Sequence, residues 1–256
     1  MSFLSLIGVE AVKIRRSKIL LILAAASVIL WLPSILNAKM NFNMQAEGIS
    51  PENNFFIQGF MGMCWFMFPA GMVVGTVLLS QTEKADRGLL KMLTLPLNTA
   101  KLMFAKFVIL LMLAAVQILM MTGMYYISAA VSSKLLAYHF ILPPLFVLKE
   151  SCFLFLSAIP MIAVFWMLSV CIGTPIFSVG IGLASIVPSV LIINTKLWFA
   201  YPMAYPFFVI TSEYGKLAAN LDTAELELIP WIPTAIIITV LSLSISCLCF
   251  GQAERK

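Results

Sequence analysis

The stretch Ser151–Thr195 constrains this chain more than any other: 45 consecutive residues without one Asp, Glu, Lys or Arg. As one helix it would be about 68 Å long, more than twice the thickness of a bilayer core. It must therefore fold back once, and Gly173-Thr174-Pro175 is the natural turn. Such a run has no place in a soluble domain, and the rest of the chain agrees. Of 256 residues, 62% are hydrophobic and 11% charged, where a soluble domain carries about a quarter charged. The sequence predicts an all-α polytopic membrane protein with a single membrane domain.

Residues 1–18 predict an amphipathic interfacial helix. Phe3, Leu4, Leu6, Ile7, Ala11 and Ile14 are its apolar residues; Glu10, Lys13 and Arg16 are polar. Six spanning helices follow, at 19–36, 55–80, 102–131, 151–172, 176–195 and 228–253. The second contains Pro69, expected to kink it, and Gly71-x-x-x-Gly75, a spacing that lets helices approach closely either within a subunit or between two. The fourth and fifth each carry an internal proline, Pro160 and Pro188. Between the fifth and sixth, residues 196–227 form an outer loop. Within it Leu197–Ile210 is apolar and aromatic but too short to cross, and Pro202 and Pro206 interrupt it. It is expected to be re-entrant or interfacial.

Charge sets the expected orientation. The N-terminus, the loop 81–101 with the foot of the third helix, and the C-terminus hold Lys13, Arg15, Arg16, Lys18, Lys84, Arg87, Lys91, Lys101, Lys106, Arg255 and Lys256, which is 11 of 16 basic residues. The other side holds 7 of 11 acids: Glu47, Glu52, Glu150, Glu213, Asp222, Glu225 and Glu227. By the positive-inside rule both termini and loop 81–101 are cytoplasmic.

The chain has no GxxxxGK[ST] phosphate loop, no HExxH and no GxSxG, so neither ATP binding of that kind nor those hydrolytic chemistries are available to it. Apart from Lys106 at the foot of the third, the expected helices hold no Asp, Glu, Lys or Arg, which argues against an ion-coupled transporter. His139 reads as an interfacial residue. Cys64, Cys152, Cys171, Cys247 and Cys249 read as buried structural thiols, without the further ligands a metal site needs. Energy must come from a partner. The stretch Ser80–Lys106, with an exposed leucine-rich turn and flanking charges, is what a partner could grip; it could also simply lie on lipid.

The run Glu83…Arg87-Gly88-Leu89-Leu90-Lys91-Met92-Leu93…Pro96…Lys106, placed just after the second spanning helix, resembles the permease subunits of type-two ABC transporters. Among them it is most similar to the lantibiotic-immunity permeases, by length, the Glu10-x-x-Lys13 beginning and the wording of the loop. The resemblance implies a cytoplasmic coupling helix in 81–101 that docks on an ATPase, with Glu83, Arg87, Gly88, Leu89, Leu90 and Leu93 as coupling residues. It implies two copies of the ATPase as partners, which bind ATP and Mg, a second permease subunit, the same or related, and a bacterial cytoplasmic membrane. No cofactor is expected in this chain. The substrate implied is a cationic antimicrobial peptide, for which Glu47, Glu52, Met61, Met67 and Glu213 are candidate contacts. Export of a lipid or another antibiotic, a membrane-embedded enzyme, and an assembly factor without transport are the alternatives.

Overall fold

The structure, a computed structural model, describes residues 3–84, 99–218 and 226–253, with the side chains of 16, 46–47, 82–84, 99 and 251–253 left undescribed. Ten α-helices and short 3-10 turns account for almost all of these residues, and no strand occurs among them. Six segments are long and apolar enough to cross a membrane: 19–36, 51–81, 100–136, 144–171, 175–192 and 228–250.

Helix α1 (Phe3–Arg16) meets α2 (Ile19–Leu36) at a two-residue bend. A 3-10 segment, Ala38–Glu47, ends at Gly48, whose φ of 75° is the left-handed conformation glycine adopts without strain. The second span starts at Pro51 rather than 55, because a proline suits the first turn of a helix. It runs as α3 (Pro51–Gly62), a π turn (Met63–Met67) and α4 (Phe68–Lys84). Ahead of Pro69, the Phe68 amide reaches back five residues to the Met63 carbonyl. The irregularity expected at this proline thus takes the form of a widened turn.

Helix α5 (Thr99–Leu136) is longer than expected at both ends. It stops where Ala137 takes φ 50°. The span expected at 151–172 begins seven residues earlier, as α6 (Pro144–Cys171), with Pro144 in its first turn. Gly173-Thr174 is the turn, as the length of the uncharged run required. The fifth span, expected as 176–195, is broken by Pro188, which has no amide to donate. It forms α7 (Pro175–Ile186) and the single turn α8 (Ser189–Ile192).

Two 3-10 turns lead to α9 (Tyr205–Leu217), and α10 (Leu228–Ala253) closes the described chain. Pro206 was expected to interrupt structure, but it sits in the first turn of α9. The start of α9 is buried, with Tyr205 and Ile210 inaccessible and Phe208 nearly so, and it packs on α6 and α3. Trp198 stacks on Phe208 with ring centroids 3.7 Å apart, and Trp231 of α10 lies against Tyr205 at 5.7 Å.

The core is continuous through α2 to α6. At its centre Trp31 of α2, Phe55 and Phe60 of α3 and Tyr125 of α5 pack edge-on or tilted at 5.6–6.4 Å. Gly59 makes this possible: a Cβ there would stand 2.3 Å from the Trp31 ring. The Tyr125 hydroxyl donates to the Phe140 carbonyl (3.2 Å) and accepts from the Leu142 amide (3.0 Å), fastening the 137–143 connection. Only Gly71 of the expected glycine pair is a contact. It faces the buried Gln117 carboxamide of α5, whose Nε2 donates to the Met67 carbonyl at 3.4 Å, whereas Gly75 faces open space.

Candidate functional site

The alternation of spans places α1, the end of α4, the start of α5, the 172–174 turn and the end of α10 at one end of the bundle. The 3-10 segment 38–47, the 137–143 connection and α9 lie at the opposite end.

At the first end, α1 presents Leu6, Glu10 and Ile14 inward, a stripe of i, i+4, i+8 spacing whose members are all under 9% exposed. The sequence reading had put Glu10 on the polar face. The structure corrects it: Glu10 is 1% exposed and receives Lys106 of α5, itself inaccessible, at 2.9 Å on Oε2. Lys13 donates to the other oxygen at 2.5 Å. Burial alone would raise the Glu10 carboxyl pKa; the charge of Lys106, with Lys13, outweighs this and holds it below the usual carboxylate range. Lys106, counted above among the basic residues of the cytoplasmic side, is thus an interior charge of a spanning helix. It belongs there because a partner is present.

Around this pair lies a small second core. Leu6 and Ile7 of α1, Leu102 and Ala105 of α5, Val170 of α6 and Phe250 of α10 pack together. The Ser169 hydroxyl of α6 donates to the Thr76 carbonyl of α4 at 3.0 Å. Helices α4 and α5, which lead into and out of 85–98, are therefore joined to α6 and α1 at their feet. Arg87, Gly88, Leu89, Leu90 and Leu93 lie outside the described residues. Glu83 falls in α4, with its side chain undescribed.

At the opposite end the described candidate substrate residues have separate partners. Glu52 accepts a hydrogen bond from the Tyr138 hydroxyl; this bond pushes the Tyr138 pKa up to about 12. Glu213 pairs with Lys216 at 3.1 Å. Met61 and Met67 are half-buried and packed on the core. The side chain of Glu47 is undescribed. His139 is exposed, its Nδ1 accepting from the Ile141 amide at 3.3 Å. Of the cysteines only Cys64 is fully buried; Cys152 and Cys171 are exposed, against expectation.

The sequence reading missed a carboxamide cluster here. Asn54 Nδ2 donates to Asn41 Oδ1 at 2.7 Å, and Asn41 Nδ2 donates to the Ala38 carbonyl at 2.8 Å, both bonds buried. They form one wall of a cavity of about 370 Å³ between α2, the 3-10 segment and α3. The signal was present as a density of carboxamides, Asn37, Asn41, Asn43, Gln45, Asn53, Asn54 and Gln58, within 22 residues. A second cavity, about 380 Å³ and almost wholly apolar, lies between α6 and α10, lined by Phe153, Leu156, Pro160, Trp231 and Ala235 among others. Among the described residues no cluster of three His, Cys, Asp or Glu side chains could hold a metal.

No curated protein and no solved structure matches the chain. The model of one protein family, described as ABC-2 family transporter protein, matches residues 6–189, from the inward face of α1 to the start of α8. That match covers more than two thirds of the chain and includes both partners of the buried Glu10–Lys106 pair. With its six spans, the chain belongs to the ABC-2 family of transporter proteins and is a multi-pass membrane permease component of an ABC transporter rather than its ATPase.

Proposed function

We propose that this permease works in an ATP-driven exporter that removes a cationic antimicrobial peptide from a bacterial cytoplasmic membrane, with both termini cytoplasmic. ATP and Mg are bound by two copies of a partner ATPase, and a second permease subunit, the same or related, completes the pore. The coupling residues are Glu83, Arg87, Gly88, Leu89, Leu90 and Leu93. Leu89 and Leu90 supply an apolar knob, and the charges orient it.

One observation supports this reading above the others. The helices on either side of 85–98 do not end loosely. Lys106, two turns into α5, is locked to α1 by a buried ion pair, and α4 is tied to α6 through Thr76 and Ser169. A push delivered to 85–98 therefore reaches four helices at once instead of dissipating in a flexible foot. The peptide substrate rests on the resemblance of Glu83–Lys106 and of the Glu10-x-x-Lys13 beginning to lantibiotic-immunity permeases, and on the excess of acids on the outer side.

A second reading has its own observation. The apolar cavity between α6 and α10 suits a lipid or another hydrophobic antibiotic, because it offers packing surface and almost no hydrogen-bonding group.

Purification of the tagged protein in mild detergent, with mass spectrometry of what accompanies it, tests the first reading. An ATPase is expected, and Leu90→Asp should abolish its recovery. ATP hydrolysis by the complex should then rise with a cationic amphiphilic peptide. A rise with lipid or a neutral drug alone would select the second reading. Recovery of the permease alone would defeat both.

A further inference from the structure

We propose that the cavity at the end of the bundle remote from α1 is a binding site for an uncharged stretch of peptide backbone. Its walls come from the last turn of α2 (Ser34, Asn37), the 3-10 segment (Asn41, Asn43) and the first two turns of α3 (Asn54, Gln58). Five of those six side chains are carboxamides and the sixth is a hydroxyl. Among the described residues, no charged side chain lines the cavity. A carboxamide offers an acceptor oxygen and N–H donors, the same complement as a peptide bond.

The inner wall is pre-set. Asn54 and Asn41 are 3% and 7% exposed, and their carboxamides are fixed in a row by the 2.7 Å bond between them and the 2.8 Å bond onward to the Ala38 carbonyl. Gln58 Nε2 extends the row at 3.5 Å from Asn54 Oδ1. A ligand meeting this wall need not pay to order it. At the mouth Gln58, Asn37 and Asn43 are exposed. Among the described residues, no hydrogen bond engages the side chain of Asn37 or Asn43, so these groups remain for a ligand.

The remaining surface decides between ligand classes. Among the described residues of the lining an anion would find no cation. A cation would find no carboxylate among them, since Glu52 is outside the lining and occupied by Tyr138. A glycan needs an aromatic face, but the one ring present, Phe55, is 1% exposed with its faces turned to Trp31, Tyr125 and Phe140. Met40 and Met44 complete the wall with flexible thioether chains that adapt to different side chains. Main-chain recognition with an adaptable side-chain wall suits a peptide read by its backbone rather than by its sequence. The proposal deepens the exporter reading and rests on it only for the claim that the bound peptide is the exported one.

The test is binding of N-acetyl-trialanine amide to the full-length permease in lipid nanodiscs, without ATPase, followed by saturation-transfer NMR. Controls are the same peptide with every backbone nitrogen methylated, and maltotriose. The unmethylated peptide is expected to bind, with Gln58→Leu weakening it about three- to tenfold and Asn54→Leu abolishing it. Because Asn54 is buried, the Gln58 variant at the mouth keeps the test decisive should Asn54→Leu misfold. Equal binding of the methylated peptide, preference for maltotriose, no binding of the amide, or indifference to Gln58→Leu would overturn the site. Loss of the site with an ATPase still recovered would leave the exporter reading standing; a functioning site with no ATPase recovered would do the reverse.

Discussion

Lys106 and Glu10 are 96 residues apart in sequence and 2.9 Å apart in space, and neither side chain is more than 1% exposed. A charge buried this deeply is tolerable only while its partner is present. Glu10→Gln and Lys106→Met should each lower stability, by up to about 3–5 kcal/mol, because each removes the direct ion-pair partner of a buried charge. Exchanging both for apolar residues, Glu10→Leu with Lys106→Met, should recover most of the loss. Thermal unfolding of the four proteins in one detergent checks this. A double variant no better than the singles would mean that Lys13 or another group carries the charge balance.

The same pair fixes an acid dependence. The Glu10 carboxyl is held below its ordinary pKa by Lys106 and Lys13. A depressed carboxylate contributes stability that is fully present above the unfolded-state pKa and is lost as pH falls through the folded one. Stability should therefore be insensitive to this group from neutral pH down to the ordinary carboxylate range, then fall. The fall should be shallower in Glu10→Gln. Melting temperatures from pH 7 to pH 3 on both proteins measure the difference.

These features mark where the sequence was readable. Long uncharged runs locate the spans because no other environment accepts them, and the 45-residue run demanded a turn where Gly173-Thr174 supplies one. Glu10 was misassigned although its spacing from Leu6 and Ile14 was correct for burial. Charge argued for the surface, and the group that reverses the argument sits on a helix 96 residues away. Leu197–Ile210 was read as re-entrant or interfacial; that its second half, Tyr205–Ile210, is buried was not legible, because α6 and α3, which cover it, do not enter its local pattern. The carboxamide row escaped because a 3-10 segment puts Asn41 where neither helical nor strand periodicity would.

Three glycines of the second span test how the helices approach one another. Gly59→Ala sets a methyl 2.3 Å from the rigid, buried Trp31 ring and should cost about 3 kcal/mol. Gly71→Ala meets Gln117 at 2.8 Å, a side chain that can shift, and should cost about 1 kcal/mol. Gly75→Ala meets nothing within 4 Å and should be neutral or stabilising by up to about 1 kcal/mol, as alanine favours helix. Denaturation of the three variants should rank them in that order. A large loss at Gly75 accompanied by a change in oligomeric state would show that this glycine packs against another subunit.

Ala137 ends α5 with φ 50°, a conformation that costs a residue with a Cβ about 1–2 kcal/mol. The next residue, Tyr138, donates to Glu52, so this turn aims the tyrosine across to α3. Ala137→Gly removes the steric cost and adds back about 0.4–1 kcal/mol of unfolded-chain entropy. A net gain of up to about 1 kcal/mol is expected, read as a higher melting temperature with the Tyr138 contact kept. A loss instead would indicate that the turn depends on the alanine methyl for packing.

Helix α10 lies beyond the family match, which ends at residue 189. The thiols of Cys171 at the end of α6 and Cys249 near the end of α10 lie close enough to interact, and Cys171 is exposed to a reagent. Copper-phenanthroline oxidation, which removes one electron and one proton from each thiol, should join them. After cleavage at a protease site engineered into 219–225, the two fragments should migrate as one band without reductant and as two with it. Cys171→Ser or Cys249→Ser should abolish the linkage, while Cys64→Ser, at a fully buried thiol elsewhere in the core, should leave it intact. Failure to form the bond in the wild type would mean that α10 does not rest against α6 in the membrane. Two features would then lose their footing: the apolar cavity between these helices, and the contribution of Phe250 to the junction around α1.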